Sequence, residues 1–364
     1  MRENWKYLPL GEICEFISGF TPQKHELNEK EGVPYYKVSD MNRDVNSLYM
    51  NETDLFVAHP RKTIPANSII FPKNGGAIFT GKKRILKYDS IIDLNTEAIN
   101  IKDKNIDLQF LYSFLLGIDF GQFDNGGGLP SINIRKMKEF IVPIPPLSEQ
   151  ERIVSLLNTQ FAKIDQLKAN AATQLQAAKD LFQSALKEML TPQEGWEKGC
   201  IGSIATILHG KNQKEVEDPN GKYPIYGSGG NIMGYSNEYL CEEGTTILGR
   251  KGTINNPTYI SEKFWNVDTA FGICAKKGVD KRFLYYIVKS INWQEKNTGT
   301  TLPSLTQTVV LSVPISFPSL PEQERIAARL DAISEKVKAL QANYDQTITL
   351  CNDLKQSLLK SIFA

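Results

Sequence analysis

Two long stretches of the chain carry apolar residues at steps of three and four. From Ile153 the series runs Leu157, Phe161, Ile164, Ala171, Leu175, Ala178, Phe182, Ala185 and Met189. The second runs Ile326, Leu330, Ile333, Val337, Leu340, Tyr344, Ile348, Cys351, Leu354, Leu358 and Ile362. A stripe of that period held for so long predicts a coiled-coil helix. Each helix is about 40 residues, hence ~60 Å long at the helical rise. Ser148 with Glu151, and Ser319 with Glu322, have capping-box spacing at the two starts. Pro146 and Pro318 close the preceding strands, and Thr191-Pro192 stops the first helix. Shorter patterns surround these helices. Ser68-Ile69-Ile70-Phe71, Ser90-Ile91-Ile92-Asp93-Leu94 and Thr245-Thr246-Ile247-Leu248 read as strands. Asp107 to Leu116 and Asp280 to Lys289 read as short amphipathic helices. Glycine-rich loops stand at Gly126-Gly127-Gly128 and at Gly227-Ser228-Gly229-Gly230.

The chain repeats itself. Leu147-Ser148-Glu149-Gln150-Glu151-Arg152-Ile153 recurs as Leu320-Pro321-Glu322-Gln323-Glu324-Arg325-Ile326, at an offset of 173 residues. The same offset carries Phe110-Leu111-Tyr112 onto Phe283-Leu284-Tyr285, and Leu129-Pro130-Ser131 onto Leu302-Pro303-Ser304. It also carries Asp180 to Ser184 onto Asp353 to Ser357. Near the start of each half, Trp5, Gly11, Ile13 and Gly19 match Trp196, Gly202, Ile204 and Gly210 at an offset of 191. Each half thus has constant ends and a divergent middle. Only Thr191 to Gly195 separates the first helix from Trp196, so the second globular part must sit at that helix's far end. The second helix can then bury its stripe only by running back along the first. The expected fold class is α/β (α+β): two globular domains separated by a long antiparallel two-helix coiled coil, related by a pseudo-two-fold axis. The expected boundaries are 1–147 and 191–319 for the domains, and 148–190 and 320–364 for the helices.

Composition adds exclusions. No apolar run approaches the ~18 residues of a membrane span, and the first six residues lack a signal-peptide layout. Five scattered cysteines, without a Cys-x-x-Cys spacing, suit a reducing cytoplasm and argue against a disulfide scaffold or a zinc site. A formal net charge of +1 gives no whole-molecule hint of a nucleic-acid partner, so any basic surface must be local. Gly76 to Lys83 nearly spells a phosphate-binding loop, but Lys83 stands where a hydroxyl is required and no helix pattern follows. Asn256-Pro257-Thr258-Tyr259 resembles a base-holding methyltransferase motif, with Thr258 in the place of its second proline and no glycine-rich methyl-donor loop elsewhere. His25, His59 and His209 lie far apart, without ligand or triad spacing, so no metal and no catalytic residue is expected.

The stripe anchors resemble the specificity-subunit family of type I restriction–modification enzymes. So do the L-P-S, P-x-P and E-Q-E-R-I segments and the Q-S-x-L-K helix ends at Gln183 to Lys187 and Gln356 to Lys360. The match runs over essentially the whole chain. The resemblance implies that each divergent middle is a target-recognition domain reading one half of a split, asymmetric duplex DNA target. It implies that the constant helices set the spacing and dock two methyltransferase subunits, which recruit nuclease and translocase subunits. It further implies a non-catalytic chain without a cofactor of its own; methyl donor, ATP and magnesium belong to the partners. Tyr226 to Gly230 followed by Gly249-Arg250-Lys251-Gly252-Thr253 matches a loop pattern of such domains, and Phe71-Pro72-Lys73-Asn74-Gly75-Gly76 matches it more loosely.

DNA binding needs cations for phosphates, and donors and acceptors for base edges. In the first domain the candidates are Lys73, Asn74, Lys82, Lys83 and Arg84, with Lys87 beside them. In the second they are Tyr226, Ser228, Tyr235, Arg250, Lys251 and Thr253. Off the main stripe, Leu156, Leu181 and Leu359 are expected to be exposed and to contribute to a methyltransferase contact. Two other readings of the chain compete. One is the recognition part of another restriction–modification enzyme, or a methyltransferase itself; the other is a non-catalytic coiled-coil scaffold for proteins.

Overall fold

The computed structural model describes residues 4–363, so Met1–Glu3, part of the stretch read for a signal peptide, lie outside the described residues, as does Ala364. Two compact units are found. One takes the chain up to Ala169 together with the segment from Thr347 onward, and the other takes Asn170–Gln346. The two long helices, Leu147–Met189 and Leu320–Phe363, contribute a segment to each unit. The fold is of the mixed class expected, with the repeat visible strand by strand.

In the first unit, strands β1 (Cys14–Ser18), β2 (Ile69–Pro72), β3 (Arg84–Leu86) and β4 (Thr96–Ile101) pair antiparallel in the order β1-β4-β2-β3, with Tyr49–Met50 added parallel to β3. The central strand β2 is an unbroken apolar run because both faces of the sheet are covered. Ile69, Phe71, Ile85 and Ile99 face a core shared with the Leu108–Leu116 helix, while Ile70, Leu86 and Ala98 face Tyr36, Met41 and Met50. Of the strand expected over Ser90–Leu94, Ile91–Ile92 forms a strand and Ser90 a single antiparallel bridge to Ile64. Asp93 turns the chain there, its Oδ1 accepting from the Asn95 amide and the Thr96 hydroxyl.

In the second unit, β5 (Ala205–His209), β6 (Thr245–Gly249), β7 (Thr258–Ile260) and β8 (Ala270–Ala275) repeat the order as β5-β8-β6-β7, again antiparallel. The registers superimpose. Glu97 sits opposite Ser18 and Phe71, and Phe271 sits opposite His209 and Leu248. Gly19 and Gly210 follow the paired edge strands, where an added Cβ would lie 2.0 Å from the Asp93 carbonyl oxygen and 1.8 Å from that of Val267. A side chain there would break the sheet edge, which is why this glycine stands in both halves. Each unit is closed by a two-stranded ribbon, Lys6–Pro9 with Ile141–Ile144 and Glu197–Cys200 with Pro314–Phe317. The second strand of each ribbon feeds directly into a long helix.

Within each unit the long helices run antiparallel. In the first, Ile153 and Leu157 near the start of one helix pack with Leu359 near the end of the other. The Lys355 ammonium lies 2.6 Å from Asp165, and that of Lys168 lies 2.6 Å from the Asn352 side-chain oxygen, so one helix climbs as the other descends. In the second unit, Phe182 and Leu186 near the end of the first helix pack with Ile326 and Leu330 at the start of the second. Two details of the stripe are corrected. Leu354 is 48 % exposed, and Leu359 is only 2 % exposed. Toward its end the second helix presents Cys351, Leu358, Leu359 and Ile362, because Leu359 fills the space between Phe110 and Ile153.

The capping box expected at Ser148 does not form. Ser148 lies inside the first turn, and the Pro146 and Ser319 carbonyls accept the first helical amides. Glu322 pairs instead with Arg325, as Glu149 does with Arg152. What the constant E-Q-E-R-I segment supplies is the glutamine. Gln150, fully buried, accepts from the Asp107 amide (2.8 Å) and donates to the Asn105 (2.8 Å) and Pro145 (2.9 Å) carbonyls. Gln323 does the same for the Asp280 amide (3.0 Å) and the Pro318 carbonyl (2.9 Å). Asp107 and Asp280 cap the short helices Leu108–Leu116 and Lys281–Ser290 through their side chains. Each glutamine therefore bolts a long helix to the cap of a short one.

Candidate nucleic-acid interface

The loops leaving β2 and β6 occupy the same place in the two sheets. Register sets Lys73, Asn74 and Gly75 against Arg250, Lys251 and Gly252. Gly75 and Gly252 have φ of 73° and 81°, a left-handed conformation that side chains resist. Their amides donate to the Pro130 and Pro303 carbonyls, at 2.8 Å in both cases. Asn74 bridges to Ser131 and Lys251 to Ser304. The Leu-Pro-Ser segments found twice in the sequence are thus lashed to the two cation-bearing loops.

In the second unit the expected residues come together. Asn256 donates to the Gly229 carbonyl (3.0 Å), and a methyl group added at Gly229 would lie 3.7 Å from Thr253. The Tyr226–Gly230 loop with Ser228 therefore lies against the Arg250–Thr253 loop. Lys251 and Thr253 are exposed. The Arg250 guanidinium stands 5.9 Å from the Phe271 ring, with one long bond to the Asp268 carbonyl (3.3 Å). Tyr226 donates to Glu262 (3.2 Å); burial and that carboxylate hold its hydroxyl above the ordinary tyrosine pKa. Tyr235 is 42 % exposed and shares its strand, Ile232–Ser236, with exposed Ile232 and Met233.

In the first unit the same surface is built differently. The Lys73 ammonium lies 2.8 Å from the Glu97 carboxylate, which is buried and also accepts from the Ser18 hydroxyl (2.7 Å). This cation is neutralised from within, whereas its counterpart Arg250 has an aromatic ring at the matching position. The Asn74 amide reaches toward Asn95 (3.4 Å). Lys82 donates to the Asn42 side chain.

Lys83 and Arg84 do not form the surface expected of them. Lys83 is 1 % exposed, its ammonium 3.0 Å from the Ile118 carbonyl and 4.0 Å from the centre of the Phe120 ring. Burial pulls its pKa down to about 8. Arg84 donates to the Lys83 and Met41 carbonyls, and its Nε is buried without a partner. The physical reason is the start of β3. Ile85 and Leu86 fill opposite faces of the sheet, so the two residues before them enter beneath the neighbouring loops, where carbonyls take up their donors.

Both near-motifs fall at this one place, since Arg84 pairs with Ile70 as Thr258 pairs with Ile247. Gly76–Thr80 is a short turn leading into a strand, so it cannot cradle a phosphate at a helix start. Asn256-Pro257-Thr258-Tyr259 likewise runs into β7. Among the described residues no group of three or more His, Cys, Asp or Glu is placed to hold a metal, and no helix is long and apolar enough to cross a membrane. His209 meets Gln307 (2.5 Å) and the edge of Phe271. Two features were missed in the sequence: Glu97, whose signal was the one charge in the Thr96–Ile101 strand, and the exposed Leu129 and Leu302.

The type I restriction modification DNA specificity domain matches this chain twice, over residues 2–177 and 193–350. The chain belongs to that family. The two matched segments are the two halves of the repeat, so this specificity-domain protein carries the domain in tandem. It is similar to the type I restriction enzyme MjaVIII specificity subunit of Methanocaldococcus jannaschii, 23 % identical over 94 % of this chain and 89 % of that one. It is also similar to a putative type I specificity subunit, S.MpnORF507P, of Mycoplasma pneumoniae, 26 % identical over 88 % and 87 %. Among solved structures, one from a study of complex assembly and conformational transition of the type I R-M system matches with a TM-score of 0.81, at 18 % identity over 100 % and 98 % of the two chains. The HsdS subunit from Thermoanaerobacter tengcongensis matches with a TM-score of 0.59, at 17 % identity over 100 % and 97 %. These two likenesses speak for the fold.

Proposed function

We propose that this specificity-domain protein selects the DNA sequence on which a type I restriction–modification complex acts, reading a bipartite and asymmetric duplex target. The observation that carries this is the paired-loop surface present once in each unit, on the same frame but with different chemistry. Two unlike readers call for two unlike half-sites. In the second unit Arg250 is the base-reading candidate, since a guanidinium can take a guanine edge through two parallel bonds, worth ~1–3 kcal/mol of discrimination. Lys251 and Thr253 share its loop, and Tyr226, Ser228 and Tyr235 are the further candidates on the neighbouring segment. In the first unit Asn74 and Lys82 are the better candidates, because Lys73 is paired and Lys83 and Arg84 point inward.

The long helices set the gap between the half-sites and dock two methyltransferase subunits. Leu156 (42 % exposed) and Leu181 (63 %) support such a contact, as do the exposed Leu350 and Leu354; Leu359 is buried against Phe110 and Ile153 and offers no surface. The chain itself carries out no catalysis, and methyl donor, ATP and magnesium act on the methyltransferase and nuclease partners. Five free cysteines fit a reducing cytoplasm, where the DNA target is also found.

Methylome sequencing of cells expressing the chain with its methyltransferase tests the reading. Expected is methylation at one split sequence with a fixed gap, and Arg250→Ala relaxing one half only. Methylation indifferent to sequence would overturn it. Removing one heptad from both helices changes the gap and leaves both halves as they were.

A further inference from the structure

We propose that Leu129 and Leu302 are a matched pair of apolar anchors that lie against deoxyribose faces of the bound duplex, one in each half-site, adding affinity without sequence preference. This rests on the DNA-reading function above. Leu129 is 71 % exposed and Leu302 54 %. Glycines precede Leu129, threonines precede Leu302 and a Pro-Ser pair follows each, so neither stands in an apolar run of the chain. Leu129 follows four exposed residues, Asn125 to Gly128, and Leu302 follows exposed Thr300 and Thr301.

Both loops are held in place. Ser131 donates its amide to Asp124 (2.8 Å) and accepts from the Asn125 amide (2.9 Å) and side chain (3.1 Å). Ser304 donates its amide to Asn297 (2.8 Å) and accepts from the Thr298 amide (2.9 Å) and hydroxyl (3.0 Å). Each loop is also tied through Pro130 or Pro303 to the glycine that follows the candidate contact residues. A leucine kept in water on a braced loop, tied to the loop that carries the contact candidates, suits a partner that offers apolar and polar surface together. A DNA groove does, with sugar faces between its phosphates.

The repeat decides between reading and anchoring. Around the leucines the two halves differ: Gly126-Gly127-Gly128 against Gly299-Thr300-Thr301, and Lys73 with Glu97 against Arg250 with Phe271. A residue kept the same while the reading residues change serves what the half-sites share, namely the sugar–phosphate scaffold.

The test uses the chain assembled with its methyltransferase subunits, and duplexes carrying either the methylated target or a scrambled sequence. Leu129→Gln and Leu302→Gln keep the bulk and remove the apolar surface; Leu302→Met keeps both and is the control for folding. Expected for each glutamine variant is a loss of about ten-fold in affinity for both duplexes, with the same methylated sequence. The salt dependence should keep its slope, because that slope counts phosphates and not apolar contacts. Unchanged affinity overturns the proposal, as does a loss confined to the target with altered methylation, which would make the leucine a base reader. Failure of the variants to assemble without DNA also overturns it, by making the leucines a protein contact. If the unaltered complex cannot tell target from scrambled duplex, the DNA-reading function itself fails, whatever the variants do.

Discussion

Replacing Gln150 by alanine isolates the bolt between a long helix and its globular unit. The side chain is fully buried and satisfies three backbone groups: the Asp107 amide and the Asn105 and Pro145 carbonyls. Each buried group left without a partner costs ~1–3 kcal/mol, and entering water offsets part of it. A net loss of about 3–5 kcal/mol follows for the first unit. Gln323 satisfies two such groups, so Gln323→Ala should cost the second unit less, about 2–4 kcal/mol. Denaturation of the whole chain will not assign these losses if its two units melt separately. Amide exchange does, since the Leu108–Leu116 helix reports on one bolt and the Lys281–Ser290 helix on the other. A local loss of ~3 kcal/mol appears as exchange faster by on the order of 100-fold. Gln150→Glu sharpens the test, because a carboxylate keeps the acceptor and turns the donor into a second acceptor facing two carbonyls. It should be as harmful as alanine at neutral pH and partly relieved in acid, where the protonated group donates again. A Gln150→Ala change below ~1 kcal/mol, or a glutamate variant indistinguishable from the parent at neutral pH, would refute the reasoning.

Glu97→Ala strands the half-buried Lys73 ammonium and should cost the first unit about 3–5 kcal/mol, whereas Lys73→Met with Glu97→Leu should recover most of that. Urea titration of the single and double variants decides it, and a double variant as weak as Glu97→Ala would count against the pairing. Lys83 titrates near pH 8 in the folded chain and at its ordinary value of 10.5 when unfolded. The unfolded chain therefore binds more protons between those values, and this residue's contribution to stability rises with pH across that window. Below about pH 8 its full burial penalty is present. Comparing urea stabilities of the parent and Lys83→Met from pH 7 to 10 should show the parent gaining on the variant as pH rises; a constant difference would show that Lys83 does not titrate as stated.

The long helices, the repeat and the antiparallel pairing were legible in the sequence because one apolar period runs for many turns and identical segments mark both ends of it. The phase slipped only near the end of the second helix, where Leu359 rather than Leu354 turns inward toward Phe110. No local pattern shows that, since Phe110 belongs to the opposite end of the chain. The short helices opening at Asp107 and Asp280 were legible from a local period. Side-chain roles were not legible where the partner is remote. Lys83 and Arg84 read as part of a basic run, yet their carbonyl acceptors at Ile118 and Met41 lie 35 and 43 residues away. The Gln150 contacts to Asp107 and Asn105 bridge 43 and 45 residues. A charge run shows that cations are present, not that water surrounds them.

Comparing the two halves separates what the frame requires from what the reading surface can change. Gly19 and Gly210, Gln150 and Gln323, and Asp107 and Asp280 are equal in both, and each meets a backbone group that any sequence on this frame would present. At the mouth of the sheet the frame makes no such demand. The position opposite β1 and β2 holds Glu97 beneath a lysine in one unit, and the position opposite β5 and β6 holds Phe271 beside an arginine in the other, in the same register. A carboxylate there withdraws the cation from solvent partners, and a ring leaves its donors free for a base edge or a phosphate. One substitution in the floor of the sheet can therefore alter the chemistry the loop above offers to DNA, without moving the loop.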